Sequence, residues 1–291
     1  MIRTNRDKLV KIAVGGEVSP PKLHAPTQAD STGRSFISIG MAGIVYNAQV
    51  GDLAFGWKAD HIEPGVSIHN PDEHADYAMH YLTCVGNDAV VSSGEAAGAR
   101  GLVSGEHARL LIDFAADDLD RLNIGDKIVI QGYGVGLELL DFPQIAVRKC
   151  SPALIENMRL EVNRAGQLVA PVTHTLTPRL MGSGLELIPE FVDQDMVSED
   201  RALIEELGLL DLRLGDLVAI LDQDHSYGRG LRQGGVVIGL INHGDSAMTG
   251  HGPGVMTLLS CPTPDIVPVI DARANIANYL PFPSRMGSQG K

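Results

Sequence analysis

Two glycine-rich segments, far apart in the sequence, place histidines beside carboxylates. The first, FGWKADHIEPGVS, spans residues 55–67 and contains Asp60, His61 and Glu63. In an extended chain His61 and Glu63 point to one face and Asp60 to the other, because side chains alternate along a strand. This spacing could give two ligands to one metal ion, or an imidazole oriented by a carboxylate for proton transfer. An exposed polar turn is the alternative interpretation of the same residues.

The second segment, NHGDSAMTGHGPGV, follows an apolar run over residues 236–241 that predicts a strand. His243, Asp245 and His251 could complete a shell of nitrogen and oxygen ligands, which zinc and manganese accept. Ser246 lies in the same segment and is a candidate substrate contact. We therefore expect the two segments to meet in one pocket. The predicted metal ligands are Asp60, His61, His243, Asp245 and His251.

A third polar group closes another apolar run, with the sequence DQDHSYGRG over residues 222–230. Asp224 and His225 are candidate acid–base groups at the end of a predicted strand. Tyr227 and Arg229 are candidate substrate contacts, because a guanidinium can bind a carboxylate through two hydrogen bonds. A hairpin tip with solvated charges is the equally weighted alternative.

The stretch after the first segment predicts a helix over residues 71–84, with Asn70 as its cap and proline in the first turn. His69 precedes this cap. Together with Trp57, the single tryptophan of the chain, it is predicted to contact the substrate. His80 is expected on the helix surface, because an acidic residue four positions earlier is a natural surface partner.

The composition excludes several partner classes. The chain has 36 acidic and 23 basic residues, a formal charge of −13 and no run of basic residues. Nucleic acids and anionic membranes are therefore not expected partners. The three cysteines show no C-x-x-C spacing, which argues against a disulfide framework or a thiolate zinc site. No signal peptide or membrane-length apolar run is evident, so a cytoplasmic location is expected.

Glycine content and a repeated turn favour short strands. The chain has 33 glycines, where average usage predicts about 20. A Gly-Asp pair precedes a strand-like run three times, at residues 51–52, 125–126 and 215–216. These features predict an α+β fold that is predominantly β, with mixed strands, small barrel-like sheets and a few short helices. Apolar strands of this kind also favour a homo-oligomer.

The expected domain organisation has three parts. Residues 1–155 are predicted to form an N-terminal β-rich domain and residues 156–280 a C-terminal α+β domain. Residues 281–291 are rich in proline, glycine and serine, which predicts a flexible tail.

Several motifs carry a resemblance to known families. The motifs GWxxDHxEPGVS, YGRG, GHGPGV and DxxANIANYL, which ends at Leu280, are similar to those of a prokaryotic domain-of-unknown-function family with N-terminal and C-terminal portions. The resemblance covers most of the chain and implies no activity. A fainter likeness links the Gly-Asp-Ser turn at residues 244–246 to the acetamidase/formamidase family. His251 and Pro253 replace the acids expected there.

These observations predict a metal-dependent hydrolase that acts on a small amide or cyclic amide. A zinc or manganese ion would lower the pKa of bound water, and Glu63 or Asp224, with His225 beside it, would move the proton. Arg229 would orient an anionic substrate. Two alternatives remain open: a cofactor-free isomerase or lyase that uses His/Asp pairs, and a non-catalytic small-molecule binding protein.

Overall fold

Short strands dominate the fold and confirm the predicted class. The computed structural model describes residues 2–23, 25–184, 190 and 193–286 of the 291-residue chain. The strands of these residues are β1 (Ile12–Val18), β2 (Gln28–Ala29), β3 (Ser35–Phe36), β4 (Ile44–Val45), β5 (Gly65–His69), β6 (Asp88–Val91), β7 (Arg100–Glu106), β8 (Leu110–Asp113), β9 (Lys127–Gly132), β10 (Ala146–Val147), β11 (Glu161–Val162), β12 (Leu168–Val172), β13 (His174–Leu176), β14 (Asp193–Asp195), β15 (Leu217–Asp224), β16 (Gly230–Ile241), β17 (Gly254–Cys261) and β18 (Ile266–Ile270). The α-helices are α1 (Glu73–Leu82), α2 (Ala116–Leu119), α3 (Pro152–Asn157), α4 (Arg201–Glu206) and α5 (Pro283–Met286). Within the described ranges, no helix is long and apolar enough to cross a bilayer.

Six antiparallel strands close a barrel in the first half of the chain. The order is β1-β9-β6-β7-β8-β5, and β5 returns to β1 with Val18 opposite Ile68. Closure pairs the strand edges that an open sheet would leave exposed. Gly16 allows this closure, because a Cβ there would lie 2.5 Å from the carbonyl oxygen of His69. The barrel interior is filled by branched aliphatic side chains, as a small barrel requires.

The second half is built on the long antiparallel strands β15, β16 and β17, with β13 parallel to β15. Both faces of β15 are buried. Leu217 and Ala219 pack into one core, and Val218 and Ile220 pack into another. This burial explains why the strand begins with a continuous apolar run. The short strand β14 pairs with the start of β17 and is therefore carried to the end of β16.

One hydrophobic core joins both predicted domains, since it contains Val50 and Val85 as well as Leu217 and Leu240. The helix α3, capped by Ser151, lies at the predicted boundary and packs into this same core. The two predicted domains therefore share buried contacts.

The helix α1 differs from its sequence prediction at its start and in its buried face. Asp72 caps it by accepting a hydrogen bond from the Ala75 N–H at 2.9 Å, while Asn70 accepts from the Asp72 N–H. The surface prediction for His80 is wrong: the residue is 4% exposed, and its Nδ1 lies 3.0 Å from Glu106 Oε1. The buried partner Glu106 is distant in the sequence, so the local pattern around His80 does not indicate this contact.

The predicted flexible tail is structured over its first residues. Phe282 is 1% exposed in the shared core, and the Ser284 N–H donates to Asp113 Oδ1 at 2.9 Å. Arg285 lies 2.9 Å from Asp52 in an ion pair. These long-range partners order a segment whose composition alone predicts mobility. The rest of the predicted tail, residues 287–291, lies outside the described residues.

Candidate metal centre

Four histidines meet where the barrel faces the second sheet. His61 precedes β5, His107 follows β7, His243 follows β16 and His251 precedes β17. The ring centroid of His61 lies 5.0 Å from that of His243 and 5.1 Å from that of His251, and the His107 and His243 centroids are 4.0 Å apart. The predicted meeting of the two glycine-rich segments is confirmed for these histidines.

Backbone conformation and small residues make the cluster possible. His61 adopts a left-handed φ of 50°, which few non-glycine residues adopt without support from their surroundings. Gly254 leaves the space that the His243 ring occupies, because a Cβ there would collide with the ring. The strained backbone at His61 and the glycine at position 254 thus allow the imidazoles of His61 and His243 to approach each other.

Two aspartates of β14 complete the cluster. Asp193 and Asp195 are two positions apart, so both side chains lie on the same face of the strand. Two groups of potential ligands result, and within each group the ligand atoms lie within 4.8 Å of one another. The first group is His61, Asp195 and His251, and the second is His107, Asp193 and His243.

Two of the separations between ligand atoms match those around a metal ion. Two atoms bound tetrahedrally to one ion at about 2.1 Å lie about 3.4 Å apart. The Nε2 atom of His61 lies 3.4 Å from Asp195 Oδ2, and the Nε2 atom of His243 lies 3.4 Å from Asp193 Oδ2. These distances exceed normal N–H···O hydrogen bonds. His251 Nδ1 and Asp195 Oδ2 lie at hydrogen-bond distance instead, 2.7 Å apart, and would have to separate to bind one ion. The residues present therefore have the donor atoms that could hold a divalent ion.

The outer nitrogens of three histidines are fixed by hydrogen bonds. Asp60 Oδ2 lies 2.7 Å from His61 Nδ1, and Glu63 Oε1 lies 2.7 Å from His107 Nδ1. His243 Nδ1 donates to the carbonyl oxygen of Gly244 at 2.9 Å. Each bond leaves Nε2 facing the cluster. A histidine held in this way by a carboxylate or carbonyl is the common arrangement behind a metal ligand.

Asp60 and Glu63 therefore occupy different places from those that sequence analysis predicts. Asp60, predicted as a ligand, stands behind His61 and accepts hydrogen bonds from Ser246 Oγ and the Ala247 N–H, both at 2.9 Å. Glu63, predicted to carry a proton, accepts from the Ala42 N–H at 2.7 Å and Ser67 Oγ at 2.5 Å. Both carboxylates orient imidazoles.

We expect Glu63→Gln to weaken metal binding by about 10- to 100-fold. The oxygen of the new amide must face the Ala42 and Ser67 donors, so its NH₂ group faces His107 Nδ1. That contact favours the His107 tautomer with a proton on Nε2, which cannot bind a metal. Competition with a chromogenic chelator measures the affinity, and Glu156→Gln on the surface serves as the control. Equal affinities in the two variants would contradict the orienting role.

The carboxylates of the cluster concentrate negative charge, which favours positive charge on or near the histidines. Burial alone would raise the pKa of Asp195, but hydrogen bonds with His243, His251 and His61 outweigh it and hold that pKa far below its usual range. Burial alone would lower the pKa of His243. Asp193 and Asp195 outweigh this effect and hold that pKa well above its ordinary value. Without a metal ion a proton on His243 would supply positive charge, and a metal ion that binds at its Nε2 would have to displace that proton.

Asp245 and Asp224, two other predicted residues, have different partners. The Asp245 carboxylate accepts from Ser198 Oγ at 2.5 Å and pairs with Arg201, outside both ligand groups. Asp224 accepts from Ser226 Oγ at 2.6 Å and from Ser260 Oγ at 2.7 Å.

The side chains predicted to move protons or bind substrate are dispersed. The ring nitrogens of His225 lie 2.7 Å from Thr257 Oγ1 and 2.8 Å from Gln223 Oε1. Trp57 donates to the Leu53 carbonyl, His69 contacts Ser19, and Tyr227 is 93% exposed. Arg229 lies nearer the cluster, because it and Asp193 both approach Gly184. A Cβ on Gly184 would be 2.8 Å from Arg229 Nη1 and 2.4 Å from the Asp193 carbonyl oxygen.

Sequence analysis missed His107, Asp193 and Asp195. His107 stands in an ordinary strand end, with its partner Glu63 44 residues away. The Asp-Gln-Asp of residues 193–195 is a metal-compatible signal, identical to the one at residues 222–224. Only the pairing of β14 with β17 distinguishes the two.

Comparisons with known proteins identify the family. The chain matches the profiles "Domain of unknown function (DUF4438), N-terminal" over residues 28–156 and "Domain of unknown function (DUF4438), C-terminal" over residues 157–280. It is similar to the crystal structure of TM1086, with 39% identity and a TM-score of 0.91 over 96% of this chain and 99% of that chain. No curated protein matches it, and the fainter acetamidase/formamidase likeness gains no support. Both portions of the family are present in order, and the chain belongs to the DUF4438 family.

Proposed function

We propose that the protein is a divalent-metal-dependent hydrolase that cleaves the C–N bond of a small amide or cyclic amide. The observation that carries this proposal is the group His61, Asp195 and His251, with His61 held from behind by Asp60. Three nitrogen and oxygen ligands with room for water are the usual arrangement of catalytic zinc. Zinc or manganese suits this mixture of imidazole and carboxylate.

A bound ion would supply Lewis acidity, polarising a carbonyl and lowering the pKa of water. The protein side chains would hold and shield it. The side chain of His251 is 25% exposed and that of Asp193 16%, whereas His61 and Asp195 are nearly buried. Substrate would therefore enter on the side of His251 and Asp193. Because the ligand side chains are exposed to this limited degree, a small substrate is favoured.

Arg229 would orient an anionic substrate at this edge. Its guanidinium donates to the Gly184 carbonyl at 2.9 Å and lies against the strand that carries Asp193. Within the described part of the chain, its Nε is buried without a hydrogen-bond partner. A guanidinium in this position suits a carboxylate group on the substrate.

Cysteine chemistry has less support. Cys84, Cys150 and Cys261 are all buried, and burial raises the pKa of Cys84 to about 11. A thiol of that kind is a poor nucleophile near neutral pH, because the thiolate is the reactive form.

The experiment is elemental analysis of the purified protein followed by assays on a panel of linear and cyclic amides. We expect stoichiometric zinc or manganese, a loss of turnover of about 100-fold or more on chelation, and recovery when the metal returns. His61→Ala should abolish turnover, whereas His174→Ala, outside the cluster, should not. Chelator-insensitive turnover would overturn the proposal in favour of an isomerase or lyase. Ligand binding without turnover would indicate a binding protein.

A further inference from the structure

We propose that the cluster holds two divalent ions and that Asp195 bridges them, an inference that rests on the proposed metal-dependent function. One ion would bind His61, Asp195 and His251. The other would bind His107, Asp193 and His243. The two groups share no residue, so each can hold an ion without displacing the other.

Asp195 has the geometry of a bridge. Its Oδ2 lies 2.7 Å from His251 Nδ1 and 3.4 Å from His61 Nε2, both in the first group. Its Oδ1 lies 3.3 Å from His243 Nε2, in the second group. The two oxygens of one carboxylate thus face two different groups. A bridging carboxylate holds ions at the separation of about 3.5–4 Å found in two-metal hydrolytic sites.

His243 points independently to a second ion. Its side chain is 0% exposed, and its Nε2 is buried with no hydrogen-bond partner among the residues that the structure describes. That atom faces Asp193 Oδ2 at 3.4 Å and Asp195 Oδ1 at 3.3 Å. A nitrogen lone pair turned toward two carboxylate oxygens is unfavourable unless a proton or a metal ion lies between them. An ion coordinated by these atoms satisfies all three.

The second group is supported from outside as fully as the first. Glu63 orients His107, and Asn242 Nδ2 donates to Asp193 Oδ1 at 3.0 Å. That hydrogen bond leaves Asp193 Oδ2 to face the two histidines. Hydrogen bonds of this kind behind the ligands are a regular feature of built metal sites.

The buried charge also balances with two ions. The cluster contains four carboxylates (Asp60, Glu63, Asp193 and Asp195) around four histidines. With the histidines neutral as ligands, two divalent ions neutralise these four carboxylates, whereas one ion would leave two negative charges to be balanced by protons. Neighbouring acids already have partners, since Asp245 pairs with Arg201 and Glu106 with Lys149. Uncompensated buried charge is costly, and two ions account for the four carboxylates without added protons.

The test is metal stoichiometry and metal–metal coupling. Metal-free protein is titrated with Mn²⁺, bound metal is measured after desalting, and electron paramagnetic resonance detects exchange between neighbouring ions. We expect two ions per chain and a coupled spectrum for the wild type. His107→Ala and the conservative Asp193→Asn should bind about one ion and give an uncoupled spectrum. His174→Ala should retain two, and circular dichroism confirms folding of each variant.

A saturated wild type with one ion per chain, or with two uncoupled ions, would overturn the bridged pair. These outcomes separate the inference from the proposed function. One ion with metal-dependent amide hydrolysis keeps the function and removes the bridge. Two coupled ions without amide hydrolysis keep the bridge and remove the function.

Discussion

Asp195→Asn is expected to lower amide hydrolysis by about 1,000-fold or more, equivalent to about 4 kcal/mol of transition-state stabilisation. Asp195 contacts three of the four histidines: His251 at 2.7 Å, His243 at 3.3 Å and His61 at 3.4 Å. An asparagine offers one oxygen where two are needed, and its NH₂ group cannot coordinate a metal. Both ions should therefore be lost or bound weakly. Turnover and metal content, measured on the same preparation, check this result.

Asp224→Asn is the matched comparison for this variant. Asp224 ends the second Asp-Gln-Asp of the chain, and its carboxylate is held by Ser226 and Ser260. The same chemical change there should leave metal content unchanged and have a much smaller effect on turnover. If Asp224→Asn lost as much activity as Asp195→Asn while keeping its metal, the acid–base role that sequence analysis assigns to Asp224 would be favoured over the cluster.

The two Asp-Gln-Asp motifs explain the limit of sequence analysis at this site. In β14 the aspartates lie in regular register opposite Met256 and Gly254 of β17, so both face the histidines. In β15 the register shifts, and Asp222 adopts a left-handed φ of 53° and accepts a hydrogen bond from the Gly234 N–H. Identical local sequences thus differ in their surroundings because of strand pairing, which is a long-range property.

Features that depend on local chemistry were predictable. The glycine-rich segments around His61 and His243 do meet, and the pairing of His61 with an adjacent carboxylate follows from their spacing. The predominance of strands follows from glycine content and repeated turns. His107 was not predictable, because its orienting partner Glu63 reaches it only after β5, β7 and β8 assemble in the barrel.

Lys149→Met is expected to destabilise the protein by about 3–5 kcal/mol, because it leaves a buried carboxylate without its partner. Lys149 is 6% exposed, with Nζ 2.6 Å from Glu106 Oε2, and it also donates to the His80 carbonyl oxygen. Glu106 directly precedes His107, and its own carbonyl accepts from Asn242. The ion pair therefore supports the turn that presents one side of the metal cluster.

The pH dependence of stability should reverse in this variant. In the wild type, burial would raise the pKa of Glu106, but Lys149 and His80 outweigh burial and hold the pKa below its ordinary value. This lowered pKa contributes stability above the unfolded-state pKa, and the contribution is lost as the pH falls. Without Lys149, burial dominates and the pKa of Glu106 rises. The variant should then lose stability as the pH rises, which urea unfolding at pH 5 and pH 8 would measure.

Two further variants separate the buried ion pair from a general effect of losing a lysine. Lys149→Met combined with Glu106→Gln should recover much of the lost stability, because the uncompensated charge is gone. Lys127→Met, which breaks an exposed pair with Glu17, should cost less than about 1 kcal/mol. A loss in Lys149→Met no larger than in Lys127→Met, or a double variant as unstable as the single one, would show that Glu106 does not depend on Lys149 for its charge.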